Sequence, residues 1–137
     1  MATTPNSIIT AQSPVLSVGQ TILAANIAKD GTGVVVTAYT AGVNGSKCDG
    51  IYVSYSGTSV ATVLRLFVNN GATNATATNN SLIRSVSIPA NTLSEVVAAA
   101  DFFIPLNVML VAGYKINATL GTAVAAPLHL VGAGGDL

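Results

Sequence analysis

The sequence predicts an all-β domain: an antiparallel two-sheet sandwich, jelly-roll-like, of eight to ten short strands. Three observations predict it. Short runs rich in Val, Ile, Thr, Tyr and Phe recur along the 137 residues. Clusters of Gly, Pro, Asn and Asp punctuate them at roughly even spacing. No convincing amphipathic helix of ordinary length interrupts the series. The strongest run is 60–70, where Val63, Arg65 and Phe67 share one face and Leu64, Leu66 and Val68 the other. Apolar residues on both faces predict a central strand, covered on both sides by its own domain or by a neighbouring subunit.

Taken in order, residues 1–7 are polar, contain Pro5, and read as an extended arm, with 8–137 as a single sandwich domain. Ile8 and Ile9 suggest a short edge strand ending at Ser13-Pro14. Residues 15–24 alternate in part and predict a half-buried strand, closed by the turn Lys29-Asp30-Gly31-Thr32-Gly33. Residues 34–40 are β-branched; a loop with Asn44-Gly45 follows, then a strand around Ile51, Val53 and Tyr55. After 60–70 comes a polar loop, 69–80, with no large apolar side chain. Residues 82–88 alternate and stop at Pro89. Residues 95–104 predict a further strand, although 95–100 alone could pass for helix, with Pro105-Leu106-Asn107 turning the chain. Tyr114 to Leu120 alternates, 128–131 closes the fold, and 132–137 reads as a Gly-rich tail.

Half the residues are hydrophobic and only 7% charged, where soluble domains carry about a quarter. Such a neutral, small-residue chain suits a membrane barrel or a packed assembly. The N-terminal residues lack a basic, then apolar, leader, no run of about 18 apolar residues occurs, and the few aromatics form no girdle. The reading is therefore no membrane partner. Five basic and five acidic residues give zero net charge. That supplies little attraction for nucleic acid and little repulsion between copies.

The residues that carry chemistry are sparse. His129 is the single histidine and lies on the strand face opposite Leu128 and Leu130, where a structural role is expected. Cys48 is the single cysteine, so it forms no intrachain disulfide; a buried, idle thiol is expected. One Cys, one His and scattered Asp give no metal-ligand spacing, and no Gly-rich loop opens a helix. No cofactor and no enzyme activity are expected. Glu95 with Asp101 is the best remaining carboxylate pair for a hydrolase, the weakest of the readings. Asp30 reads as a turn residue and Asp136 as a tail charge. Asp101 interrupts an apolar run and is a candidate partner for Arg65 or Arg84, within a subunit or between subunits.

Several short patterns together resemble a family of small tailed-bacteriophage virion structural proteins. They are Thr4-Pro5-Asn6 with Ile8-Ile9, the turn Asp30-Gly31-Thr32-Gly33, the loop Thr40-Ala41-Gly42-Val43-Asn44-Gly45-Ser46, Gly57-Thr58 leading into Val63-Leu64-Arg65-Leu66-Phe67-Val68, and the Gly132–Leu137 terminus. The 69–80 loop is longer than that pattern, and no catalytic residue is carried over. The resemblance implies a capsid decoration, or cement, protein on the outer head shell of the virion. Its expected partners are the major capsid protein and copies of itself, as a homotrimer. The candidate interface residues are Pro5 and Asn6 in the arm, which can add a strand to a neighbour's sheet edge, Ile8 and Ile9 just after it, and Arg65 and Asp101. The alternative is a tail or head-fibre component whose sandwich binds host glycans through Tyr39, Tyr52, Tyr55 or Tyr114.

Overall fold

Period-two alternation divides each strand into a face that needs cover and a face that does not. The computed structural model describes residues 12–137, and shows how two sheets meet that need. The strands are β1 (Ser13–Ile22), β2 (Val36–Thr40), β3 (Ser46–Tyr55), β4 (Thr62–Asn69), β5 (Asn80–Ile88), β6 (Asp101–Leu110), β7 (Lys115–Leu120) and β8 (Leu128–Asp136). One sheet has the order β1-β8-β3-β6 and the other β2-β7-β4-β5, with every neighbouring pair antiparallel. Every connection except β4–β5 crosses between the sheets, which is jelly-roll wiring. The arm, with its candidates Pro5 and Asn6, and the candidates Ile8 and Ile9 after it lie outside the described residues.

The two inner faces form one core. Cys48, Ile51, Val53, Ile104, Leu128 and Leu130 from the first sheet pack against Tyr39, Leu64, Leu66, Ile116, Ala118 and Leu120 from the second. As the alternation requires, β4 is central in its sheet, between β7 and β5. Phe67 points away from the inner core yet is buried. The loops at that end of the sheet are held by asparagine side chains. Asn26 Nδ2 donates to the carbonyls of Thr32 and Val34 at 2.8 and 2.7 Å. Asn74 Nδ2 donates to those of Gly31 and Gly33 at 3.1 and 2.7 Å. Asn80 Nδ2 donates to Asn74 O, while Asn69 Nδ2 donates to Asn80 Oδ1. The 70–79 loop is thus tied down without any large apolar residue.

Three sequence expectations are corrected. Residues 95–100 are exposed loop, and β6 begins only at Asp101. Ala and Val are as compatible with that loop as with a strand, and no turn residue marks the boundary. Pro105-Leu106-Asn107 does not turn the chain; it is a bulge inside β6, with Asn107 at φ 49. An edge strand tolerates this, because the proline's missing N–H costs no ladder bond there. Ser13 and Pro14 open β1, the opposite edge, for the same reason.

The third correction is the largest. Residues 132–136 belong to β8, between β1 and β3. Its glycines make room for Tyr39. A Cβ on Gly132 would lie 2.3 Å from Ala38 O, and one on Gly134 would lie 2.8 Å from the Tyr39 hydroxyl. Asp136 is correspondingly no loose tail charge. Its carboxylate accepts from the Ser46 hydroxyl and from Gly42 N–H at 3.2 Å, and Leu137 N–H donates to Gly45 O at 3.1 Å. The last strand is thereby locked to the β2–β3 turn.

Cys48 is fully buried beneath this region. Burial pushes its thiol up to about 12 from an ordinary 9.0. A group whose folded pKa is raised stabilises the fold fully below its unfolded pKa and loses that contribution as pH rises toward the folded value. Stability should therefore fall from pH 9 toward 12, by up to about 1.4 kcal/mol per pH unit from this thiol. Urea midpoints measured across that range check this. The native thiol should also resist an aromatic disulfide reagent until urea unfolds the chain.

Candidate interface

Two surfaces of the sandwich are unfinished by ordinary burial rules. The first is the outer face of β1-β8-β3-β6. Its register aligns Leu16, Ala133, Gly50 and Pro105 in one cross-strand row, and Val131, Tyr52 and Phe103 in the next. Gly50 leaves space beneath Phe103, since a Cβ there would lie 2.5 Å from the ring. Phe103 meets Tyr52 with centroids 4.7 Å apart, tilted by 47°. Leu16 remains 61% exposed, Tyr52 49% and Phe103 45%. Contiguous exposed apolar surface of this kind marks interaction sites.

The adjoining row on the same face is His129, Ser54 and Asp101. A Ser/His/carboxylate relay needs the imidazole between the hydroxyl and the carboxylate. Here the register puts Ser54 between the other two, and no side-chain hydrogen bond joins the three. Among the described residues no three of His, Cys, Asp and Glu gather as metal ligands.

The second surface is the β5–β6 connection, residues 92–100. Every residue in it is exposed, with Val96 at 93% and Val97 at 68%. Local bonds shape it: Ser94 Oγ accepts from Val96 and Val97 N–H at 3.2 and 3.1 Å, and Leu93 N–H donates to Thr58 Oγ1 at 3.0 Å. Glu95 lies within it, exposed like its neighbours. Asp101 follows as the first residue of β6, opposite Ser54.

Arg65 projects from the outer face of the other sheet, flanked by Ser85 and Thr119. It lines an open cavity of about 710 Å³, walled by Val63, Ile88 and Pro89, with Gly121 and Thr122 at its side. The guanidinium has no ion pair or hydrogen bond among the described residues, where Lys47–Asp49 at 3.7 Å is the sole salt bridge. Arg65 and Asp101 therefore belong to different sheets, and the chain does not join them to each other. Arg84 lines a smaller cavity of about 240 Å³ at the flank, with Pro105, Leu106 and Val108.

The tyrosines separate by environment. Tyr39 is wholly buried, Tyr55 and Tyr114 pack against the core, and Tyr52 alone of the four is half-exposed. Sequence reasoning missed the Tyr52–Phe103 pair, which the β3–β6 register creates, and the 92–100 loop, whose composition matches a strand. The Ser94-Glu95 step was the available signal for the loop, since it places two polar residues side by side and breaks alternation. Compared with models of protein families, with curated proteins and with solved structures, the chain matches none of them.

Proposed function

We propose that the chain is a bacteriophage virion structural protein, a capsid decoration (cement) protein that binds the outer head shell and stabilises it alongside copies of itself. The observation that carries the reading is the amount of apolar surface left open on a sandwich with so few charges. Leu16, Tyr52 and Phe103 lie on one sheet face, and Val96 and Val97 in the β5–β6 loop. A free monomer with this surface and zero net charge would associate. A shell lattice is a setting in which that association is ordered. The resemblance of the turn and strand patterns to small tailed-phage virion proteins supports the same reading.

Gold-labelled antibody against the protein, applied to intact virions, tests the location. Label distributed over the heads is the expected result. Label confined to the tail or to fibres would contradict decoration and favour the fibre alternative. For that alternative the Tyr52–Phe103 pair, beside Ser54 and His129, offers the aromatic platform and hydrogen-bonding groups that a sugar ring needs.

A further inference from the structure

The charges of the described residues divide into satisfied and unsatisfied groups. Asp30 is held by the hydroxyl and N–H of Thr32, Asp49 by Lys47, and Asp136 by Ser46 and Gly42. Glu95 and Asp101 are the carboxylates with no hydrogen bond or ion pair, and both lie in or directly beside the exposed 92–100 loop. Among the cations without an ion pair, Arg65 is the one that lines the large open cavity. That cavity sets the unpaired Arg65 beside the apolar side chains of Ala61, Val63 and Pro89. The loop offers apolar side chains and carries a negative charge at Glu95.

The chain does not bring the two together. It leaves the cavity rim at Ile88-Pro89 and rejoins the fold at Asp101 in the opposite sheet. Asn91 is held to Ser59 and Gly57, and residues 92–100 beyond it are exposed throughout and line no part of the cavity, so the loop does not fill its own cavity.

We propose that the β5–β6 loop of one copy seats in the Arg65 cavity of a second copy, with Glu95 paired to Arg65 and Val96 and Val97 against Ala61, Val63 and Pro89. This rests on the self-association contained in the functional reading above and names the surfaces that perform it. Cavity and loop are different patches, so the contact can be used head to tail, closing a ring of three or more copies, or reciprocally, closing a ring of two. The cavity lies at the beginning of β4 and the ends of β5 and β7, the same end of the sandwich from which the loop emerges. Donor and acceptor patches therefore sit side by side at one end, so each copy can both give a loop and receive one.

Sedimentation velocity over a concentration series tests this with the wild-type chain and the variants Arg65→Glu, Glu95→Arg, the two combined, and Val96→Asp. Either charge reversal alone should weaken the ring about thirty-fold or more, the size expected when one member of a desolvated pair is reversed. The double reversal should restore most of that loss, because the pair is rebuilt with opposite polarity. Val96 is so exposed in the monomer that Val96→Asp cannot unfold it, yet this variant should sediment as monomer. Far-UV circular dichroism on each variant separates lost assembly from lost folding. Wild-type monomer at all concentrations, single reversals that leave the ring intact, a double reversal no better than its singles, or an intact Val96→Asp ring would each overturn the proposal. The gold-label experiment is independent of all these outcomes. Label on heads with a ring unaffected by the variants sinks this interface and spares decoration, whereas label on tails with a charge-rescued ring does the reverse.

Discussion

Replacing Gly132 with valine should prevent the chain from folding, or cost at least about 3 kcal/mol if a strained form survives. A β-carbon there would sit 2.3 Å from Ala38 O and 3.1 Å from two atoms of Tyr39. The carbonyl is backbone and cannot rotate away, so β8 and β2 would have to separate. They belong to opposite sheets, and separating them opens the core along its length. Valine's higher strand propensity favours the substitution by at most about 1 kcal/mol and cannot offset this. His129→Val is the control. That position is on the same strand with its side chain in solvent, and the change should stay within about 0.5 kcal/mol. Circular dichroism and urea unfolding of both variants measure the contrast; a Gly132→Val protein as stable as the control would show that the sheets do not approach as described.

The Asp136→Ala variant should fold but lose about 2–3 kcal/mol. The carboxylate accepts hydrogen bonds from Ser46 and Gly42, and hydrogen bonds to charged groups contribute about 1.5–3 kcal/mol. It also holds the end of β8 against the β2–β3 turn, so its loss frees the terminus to fray. Ser46→Ala removes one of the same bonds. In a double-mutant cycle the two changes should be non-additive by more than about 0.5 kcal/mol, as partners in one network are. Fully additive urea midpoints would mean that Asp136 and Ser46 act separately.

These two positions also show what the sequence conveyed and what it did not. The inner core was legible because its signal is local. Leu64, Leu66 and Val68 alternate against Val63, Arg65 and Phe67, and the central position of β4 followed from apolar residues on both sides. The end of β8 was not legible, because Gly132, Gly134 and Gly135 carry no hydrophobic pattern and read as a tail. Their role depends on Tyr39, nearly a hundred residues earlier in the chain, and only tertiary proximity reveals it. The bounds of β6 failed for the opposite reason. Residues 96–100 look like strand, and the exposure that makes them loop is set by where β5 ends and β6 must begin. The bulge at Asn107 is another property of context, since Pro-Leu-Asn reads equally well as a turn.

The candidate interface was half legible. Parity placed Arg65 on a face, and the scarcity of charge made it conspicuous. Nothing in the order of residues showed that Val63, Ile88 and Pro89 would wall a cavity around it, or that Asp101 would be carried to the other sheet. The asparagines of the 69–80 loop gave no warning of their work either. As a composition they suggest flexible linker, whereas in the fold Asn69, Asn74 and Asn80 link that loop to the 26–34 segment through side-chain amides.

On the proposed function, the open apolar surface of this sandwich is an interface for copies of itself. Sedimentation equilibrium of the wild-type chain at micromolar concentration tests that most directly. A mass that is a whole multiple of the 13.7 kDa chain, two or more, is the predicted result. A single species at 13.7 kDa that persists to the highest soluble concentration would contradict it.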